Sequence, residues 1–239
     1  MSKFQCLIVP DNDLLTLKNC GGYYECPKDE EGKRLGPLVA YAGTYDTSNS
    51  ERKRFVGDVY YNLAKVEEHP PVLRVFADKL LAKMPRGTDT VLGAPLGGYT
   101  FAYQLASALD CRFVFAEKKV IELGKDGGRD KTILIMKRHE LTSNSFVTIV
   151  EDVCNNFSTT EQIFEIVQMF GANVVAIACE LNRSGQTEWN GIPVISLMDI
   201  PTSQYKQEDP EVAEDMQKGN IVWDAKKEWE RLTLAMNNQ

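Results

Sequence analysis

The segment FVTIVEDVCNNFSTTEQIFEIVQM, residues 146–169, changes character twice within twenty-four residues. Phe146 to Val150 are apolar and mostly β-branched, with the length and composition of a buried strand. Two adjacent carboxylates, Glu151 and Asp152, follow, and then a polar loop runs from Asn155 to Thr160. Beyond it, Ile163, Phe164, Ile166, Val167 and Phe170 recur at helical spacing. Ser158 and Glu161 stand at the spacing of a capping box, which predicts a helix start near Ser158.

A strand, an acidic pair and a hydroxyl-rich loop opening a helix put two kinds of chemistry at one end of a βα unit. The helix start offers unpaired N–H groups and the positive end of its dipole, which suit a phosphate. Carboxylates at the strand end suit partners of the opposite kind, either sugar hydroxyls or a hydrated divalent cation. Both features in one site point to a sugar phosphate, whereas an ordinary capped turn with two solvated acids would carry the same letters.

A hydrophobic strand, then (Glu/Asp)-Asp-Val, then a loop of small hydroxyl residues resembles the signature of the type I phosphoribosyltransferases. The resemblance implies that Glu151 and Asp152 hold the ribose hydroxyls of phosphoribosyl pyrophosphate. It also implies that Asn155, Asn156, Phe157, Ser158, Thr159 and Thr160 cradle the 5-phosphate. The chain departs at Asn155-Asn156-Phe157, where the family usually has Thr-Thr-Gly or Thr-Ala-Gly. Phe157 replaces a glycine that permits close backbone approach to phosphate.

Upstream, Pro70-Pro71 open an amphipathic helix with Val72, Leu73, Phe76, Ala77, Leu80, Leu81 and Met84 as core positions. Thr90 to Gly93 read as a short strand and Tyr99 to Leu109 as a helix. Between them, a glycine-rich loop can close its N–H groups on an anion. By the resemblance, Gly93, Ala94, Pro95, Leu96, Gly97 and Gly98 bind pyrophosphate. Arg112 to Ala116 and Thr132 to Arg138 are further strands, and the glycine- and charge-rich segment 122–131 between them suits a lid. Orotate phosphoribosyltransferases carry Arg-Lys-x-x-Lys-x-His-Gly there. This chain keeps Lys118 and Gly124 but has Glu117, Ile121 and Leu123 at the arginine, second lysine and histidine positions.

The N-terminal part is glycine- and tyrosine-rich. Residues 3–9 suit an edge strand, and Thr16 to Tyr24 suit a hairpin with a Gly-Gly turn. Thr16-Leu17-Lys18 resembles the Thr-Leu-Lys-Ser-Gly of orotate enzymes, in a small hood over the base. That implies Lys18 on pyrophosphate or base, with Tyr23 or Tyr24 stacking on the base. Downstream, a core strand from Asn173 ends in Cys179-Glu180-Leu181-Asn182-Arg183-Ser184-Gly185. Arg183 resembles the arginine with which orotate enzymes grip the carboxylate of orotate, a bidentate task suited to guanidinium. Ile192 to Ser196 read as the last strand, and two peripheral helices, 209–218 and 224–236, follow with Trp223 and Trp229 as packing anchors.

Strands alternating with helices over 72–196 predict an α/β fold. Its mostly parallel sheet is flanked by helices, and the β-rich N-terminal part makes a small hood. The expected organisation is one compact domain with a hood (1–65), a core (66–200) and a helical extension (201–239). A net charge of −7 argues against nucleic-acid or membrane-surface binding. Six cysteines without a C-x-x-C pair read as reduced thiols of a cytoplasmic protein, neither disulfide framework nor metal site. The resemblance implies a Mg²⁺-dependent orotate phosphoribosyltransferase acting on phosphoribosyl pyrophosphate and a nucleobase, as a homodimer. Lys18, Lys118 and Asp152 would be its catalytic residues. A purine phosphoribosyltransferase and a non-catalytic phosphoribosyl-pyrophosphate regulator are the alternatives.

Overall fold

The computed structural model describes residues 7–122 and 131–237. In chain order its elements are α1 (Asp13–Asn19), β1 (Tyr23–Glu25), β2 (Leu38–Asp46), β3 (Arg52–Gly57), β4 (Val59–Tyr61), α2 (Ala64–Glu67) and α3 (Pro70–Leu81). There follow β5 (Thr90–Gly93), α4 (Gly98–Leu109), β6 (Arg112–Phe115), β7 (Glu117–Glu122), β8 (Lys131–Ile135), β9 (Phe146–Cys154) and α5 (Ser158–Met169). The last are β10 (Asn173–Asn182), β11 (Glu188–Trp189), β12 (Ile192–Asp199), α6 (Ala213–Lys218), β13 (Ile221–Val222) and α7 (Trp229–Asn237). The segment read as a lid falls largely on 123–130, outside the described residues, as does most of the expected edge strand at 3–9.

Two units divide the chain. One holds Met1–Cys20 with Leu63–Pro201, the other Gly21–Asn62 with Thr202–Gln239. This redraws the expected organisation: the first twenty residues go with the α/β core, and the C-terminal extension goes with residues 21–62.

The α/β unit is a six-stranded sheet in the order β11-β12-β10-β9-β5-β6. All its pairs are parallel except the edge pair β11–β12. Parallel strands are covered on both faces and so read as near-continuous apolar runs, which is why they were legible. Val147 and Ile149 of β9 and Leu92 of β5 pack with Ile163, Ile166 and Val167 of α5 in one buried cluster. Helix α4 runs along β5 and β9 and packs against α3, whose Val72, Leu73, Phe76, Ala77 and Leu80 are buried as the periodicity predicts. Strand β5 leads through α4 to β6 on one side, while β9 returns on the other side of β5. The strand order therefore reverses between β5 and β9, where the loops leaving two neighbouring strands diverge and open a crevice.

The expected hairpin at Thr16–Tyr24 is instead helix α1, followed by the short strand β1. Asn12 accepts a hydrogen bond from the Leu15 N–H at 2.8 Å as its N-cap, and Asp13 sits in the first turn. Lys79 of α3 holds the entry to α1 through an ion pair with Asp13. Gly21, at φ +75°, lies just beyond the helix end.

The second unit contains a three-stranded sheet, β13-β2-β3, and the pair β1–β4. Strand β13 runs parallel to β2, pairing Ile221 with Leu38 and Val222 with Val39. Tyr24, Cys26, Val39, Val222, Ala225 and Leu232 form a buried cluster, with Tyr60 and Trp229 packed against it. Trp229 is thus an anchor as expected, but Trp223 is 44% exposed. The mostly buried Arg34 side chain ties the two segments together. Its Nε lies 2.6 Å from Asp58 Oδ1, and its Nη1 lies 3.2 Å from Asp215 Oδ2.

Candidate functional site

The crevice at the strand reversal is lined by residues 93–98 after β5 and residues 151–160 at the end of β9. Strand β9 extends to Cys154, four residues beyond the apolar run, so the acidic pair lies within the strand. Successive side chains of a strand point to opposite faces. Glu151 therefore faces α5, where the Thr160 hydroxyl donates to its Oε1 at 3.1 Å. Asp152 faces the loop after β5 and accepts from the Val153 N–H at 2.9 Å.

Glu151 is buried, and its carboxyl is pushed up to about 8. Burial is the largest cause and the neighbouring Asp152 adds to it. The Thr160 hydrogen bond and the exposed Lys118 of β7 act in the opposite direction. The Lys118 charge therefore reaches the Glu151 carboxyl.

The loop Gly93-Ala94-Pro95-Leu96-Gly97-Gly98 is fastened to β9 by the Ala94 N–H donating to the Val150 carbonyl at 2.9 Å. Its Pro95–Leu96 peptide is cis. A Cβ on Gly97 would come within 2.1 Å of Asp152 Oδ2, and one on Gly98 within 2.5 Å of the Val150 carbonyl oxygen. Gly98 is therefore required for the loop to lie this close to the acidic strand, because it meets backbone, whereas a side chain at Gly97 would have to turn the Asp152 carboxylate away. Leu96 is 72% exposed at the loop's tip.

Helix α5 begins at Ser158 as predicted, but the capping box is not made. Asn156 Oδ1 accepts from both the N–H (3.3 Å) and the hydroxyl (3.0 Å) of Ser158, and the N-cap position belongs to Phe157. Phe157 takes the left-handed conformation, φ +56° and ψ +14°, that a glycine would adopt freely. Its ring turns into a buried cluster with Cys154, Ile177, Cys179, Ile192 and Val194, and stacks on Trp189 at 6.1 Å. Thr160 is buried with its hydroxyl on Glu151, whereas Ser158 is exposed.

Arg183 leaves the end of β10, the strand next to β9, and its N–H donates to the Cys154 carbonyl at 2.8 Å. The turn is fixed by Asn182 Oδ1, which accepts from the N–H (3.0 Å) and hydroxyl (2.6 Å) of Ser184. Arg183 is 8% exposed, so it is a buried residue and not an exposed turn arginine. Lys18 is exposed in the last turn of α1.

Tyr24 does not fit its expected role. It is completely buried in the second unit and donates its hydroxyl to the Pro37 carbonyl at 2.7 Å, leaving no ring face for a base. Tyr23 packs edge-on against Tyr61 in the same unit. One residue escaped the sequence reading. Glu180 is buried in β10 beside the acidic pair, and its signal was an acid inside the apolar run Ala176-Ile177-Ala178-Cys179-Glu180-Leu181. Among the described residues no group of three or more His, Cys, Asp or Glu is arranged to hold a metal ion. No helix among them is long and apolar enough to cross a membrane.

The family model described as phosphoribosyl transferase domain matches residues 63–215. The chain is 25% identical over 154 residues to orotate phosphoribosyltransferase of Caldanaerobacter subterraneus, covering 64% of this chain and 75% of that protein. It is 28% identical over 151 residues to orotate phosphoribosyltransferase of Caldicellulosiruptor bescii, covering 63% and 74%. Adenine phosphoribosyl transferase of Trypanosoma brucei is similar at a TM-score of 0.49 and 18% identity, over 65% of this chain and 75% of that one.

Proposed function

The chain belongs to the phosphoribosyl transferase family, and from that premise we propose that it transfers ribose 5-phosphate from phosphoribosyl pyrophosphate to orotate, releasing pyrophosphate. The observation that carries this reading is the meeting of an anion-type glycine loop and an acidic, helix-opening loop at one strand reversal. Relatives named orotate phosphoribosyltransferase favour orotate as the acceptor. The buried Arg183 at the end of the adjacent strand suits a planar acid.

Each part has a task in this reaction. The first turn of α5 and the hydroxyl of Ser158 receive the 5-phosphate. Asp152 and Glu151 hold the ribose hydroxyls, and residues 93–98 with Lys118 and Lys18 receive pyrophosphate. No protein nucleophile is needed. Pyrophosphate leaves as positive charge grows on the sugar carbon, so the protein contributes positioning, charge compensation and exclusion of water. The described side chains build no metal cage. Mg²⁺ would therefore enter on the pyrophosphate of the substrate, where such ions keep most of their waters, and would supply charge neutralisation there. The same reading includes a homodimer, which light scattering would test.

The first experiment follows orotate absorbance on mixing the protein with Mg²⁺, phosphoribosyl pyrophosphate and orotate, beside an Asp152→Ala control. Turnover absent from the control is the expected result. Turnover with adenine or hypoxanthine but not orotate would replace the acceptor, and binding of phosphoribosyl pyrophosphate without turnover on any base would replace catalysis with ligand sensing.

A further inference from the structure

Glu180 is completely buried in the middle of a parallel sheet, and neither of its carboxyl oxygens has a hydrogen-bond partner. Folded proteins leave few buried polar atoms in that state, and an ionised carboxylate so placed is costly. The register pairs Cys179 with Glu151 and Leu181 with Val153, which sets Glu180 alongside Asp152. Neighbours in a parallel pair share a face, so the two carboxyl side chains lie side by side. Asp152 in turn lies against Gly97 of the anion loop. One member of the acidic pair therefore has a second carboxyl group behind it, sealed from solvent.

The charged groups that act on Glu180 are Asp152 on β9 and Glu67 on α2, and the Cys179 thiol, on the other face of the same strand, adds to them. With burial as the largest cause, all of them hold Glu180 in its protonated form, well above the usual carboxylate range. Two carboxyl groups this close do not both ionise readily. The sealed member keeps the proton, and Asp152 is left to carry the charge.

We propose that Glu180 is a positioning residue that acts through Asp152, the two forming a pair whose single proton must be kept for an anionic sugar phosphate to bind. The inference rests on the sugar-phosphate reading above. With the proton on Glu180, Asp152 presents one negative charge to the ribose hydroxyls. When that proton passes to solvent, a second negative charge appears beside the anion loop and opposes the incoming phosphates. Binding and protonation are then linked, so the sugar phosphate holds the proton in place and affinity falls as the pair ionises.

The test is calorimetric titration of the full chain with metal-free phosphoribosyl pyrophosphate at constant ionic strength, from pH 7.5 to 9.5. The phosphates of the ligand have all but finished ionising by the start of that range. Wild type, Glu180→Gln and Glu151→Gln are compared, because Glu151 also titrates near the start of this range. Wild-type affinity is expected to fall about tenfold for each pH unit above the point at which the pair ionises. Glu180→Gln, a mimic of the neutral acid, should match wild type at pH 7.5 and lose at least threefold less by pH 9.5. Glu151→Gln should keep a fall at the alkaline end.

Parallel profiles for wild type and Glu180→Gln would overturn the proposal, as would a Glu180→Gln protein that folds but binds weakly at every pH. If the glutamine variant does not fold, Glu180→Leu, equally uncharged, carries the same expectation. Absence of binding by wild type at pH 7.5 would overturn the sugar-phosphate reading itself, a result distinct from binding with parallel profiles.

Discussion

Phe157 and Glu151 each hold a state that their surroundings impose. A non-glycine residue in the left-handed region costs roughly 1–2 kcal/mol, which burial of the Phe157 ring against Trp189 offsets. Phe157→Gly should therefore destabilise the protein by about 2–4 kcal/mol, because the lost ring outweighs the relieved backbone. Phosphate affinity should stay within about twofold, since the ring points away from the loop. Urea melts and calorimetry measure the two separately.

For Glu151 the sign runs the other way from that of a salt-bridged acid. Its ordinary value of 4.5 rises to about 8 on folding. Its contribution to stability is fully present below pH 4.5 and is lost as pH climbs through 8. Glu151→Gln should be close to neutral at pH 5 and stabilising at pH 9, by an amount on the order of 3 kcal/mol, read from chemical denaturation at the two pH values. At this scale the sequence disclosed identities but not environments. The acidic pair and the glycine-replacing Phe157 were both visible as letters. That Glu151 faces a threonine while Asp152 faces a glycine loop depends on strand parity carried one and two residues past the apolar run. Glu180 is visible as an acid inside an apolar run, but a single acid there does not disclose what lies beside it in the sheet.

Strands β5, β9, β10 and β12 were legible because each is built round an apolar run, and helices α3, α4 and α5 because each has one apolar stripe. Helix α1 is hard to see in the sequence because its cap, Asn12-Asp13, stands a few residues before Gly21-Gly22, a pair that equally suits a hairpin turn. The Gly97–Gly98 pair belongs to this scale too, since it sets the distance between the loop and β9. Gly98→Ala would push a Cβ against the Val150 carbonyl, which is backbone and cannot step aside. The expected cost is about 1–3 kcal/mol, with a larger relative loss in affinity for pyrophosphate than for ribose 5-phosphate. Paired calorimetric titrations would separate the two ligands, and equal losses would contradict the assignment of the loop.

Across the whole molecule, the division into units was the least legible feature: composition sets off the N-terminal part, but nothing local shows that residues 202–239 join residues 21–62. Arg34 is the residue on which that junction turns. Removing it leaves Asp58 with Lys28 as its ion-pair partner among the described residues, takes the side-chain donor from the Glu211 carbonyl, and leaves the Asp215 carboxylate to the Asn220 amide. Arg34→Ala should cost about 3 kcal/mol and should speed hydrogen exchange in β2, β3 and β13 while leaving β5, β9 and β10 protected. Uniform loss of protection would mean that the two units do not open separately.

The pairing of β13 with β2 also has a consequence in time. On a ribosome, β2 is made early and its partner strand only after the chain has passed from residue 62 to residue 202. At ordinary rates of synthesis that interval is on the order of ten seconds. For that long Leu38 and Val39 have no β13 beside them, and the nascent chain must either shelter that edge or meet a chaperone there.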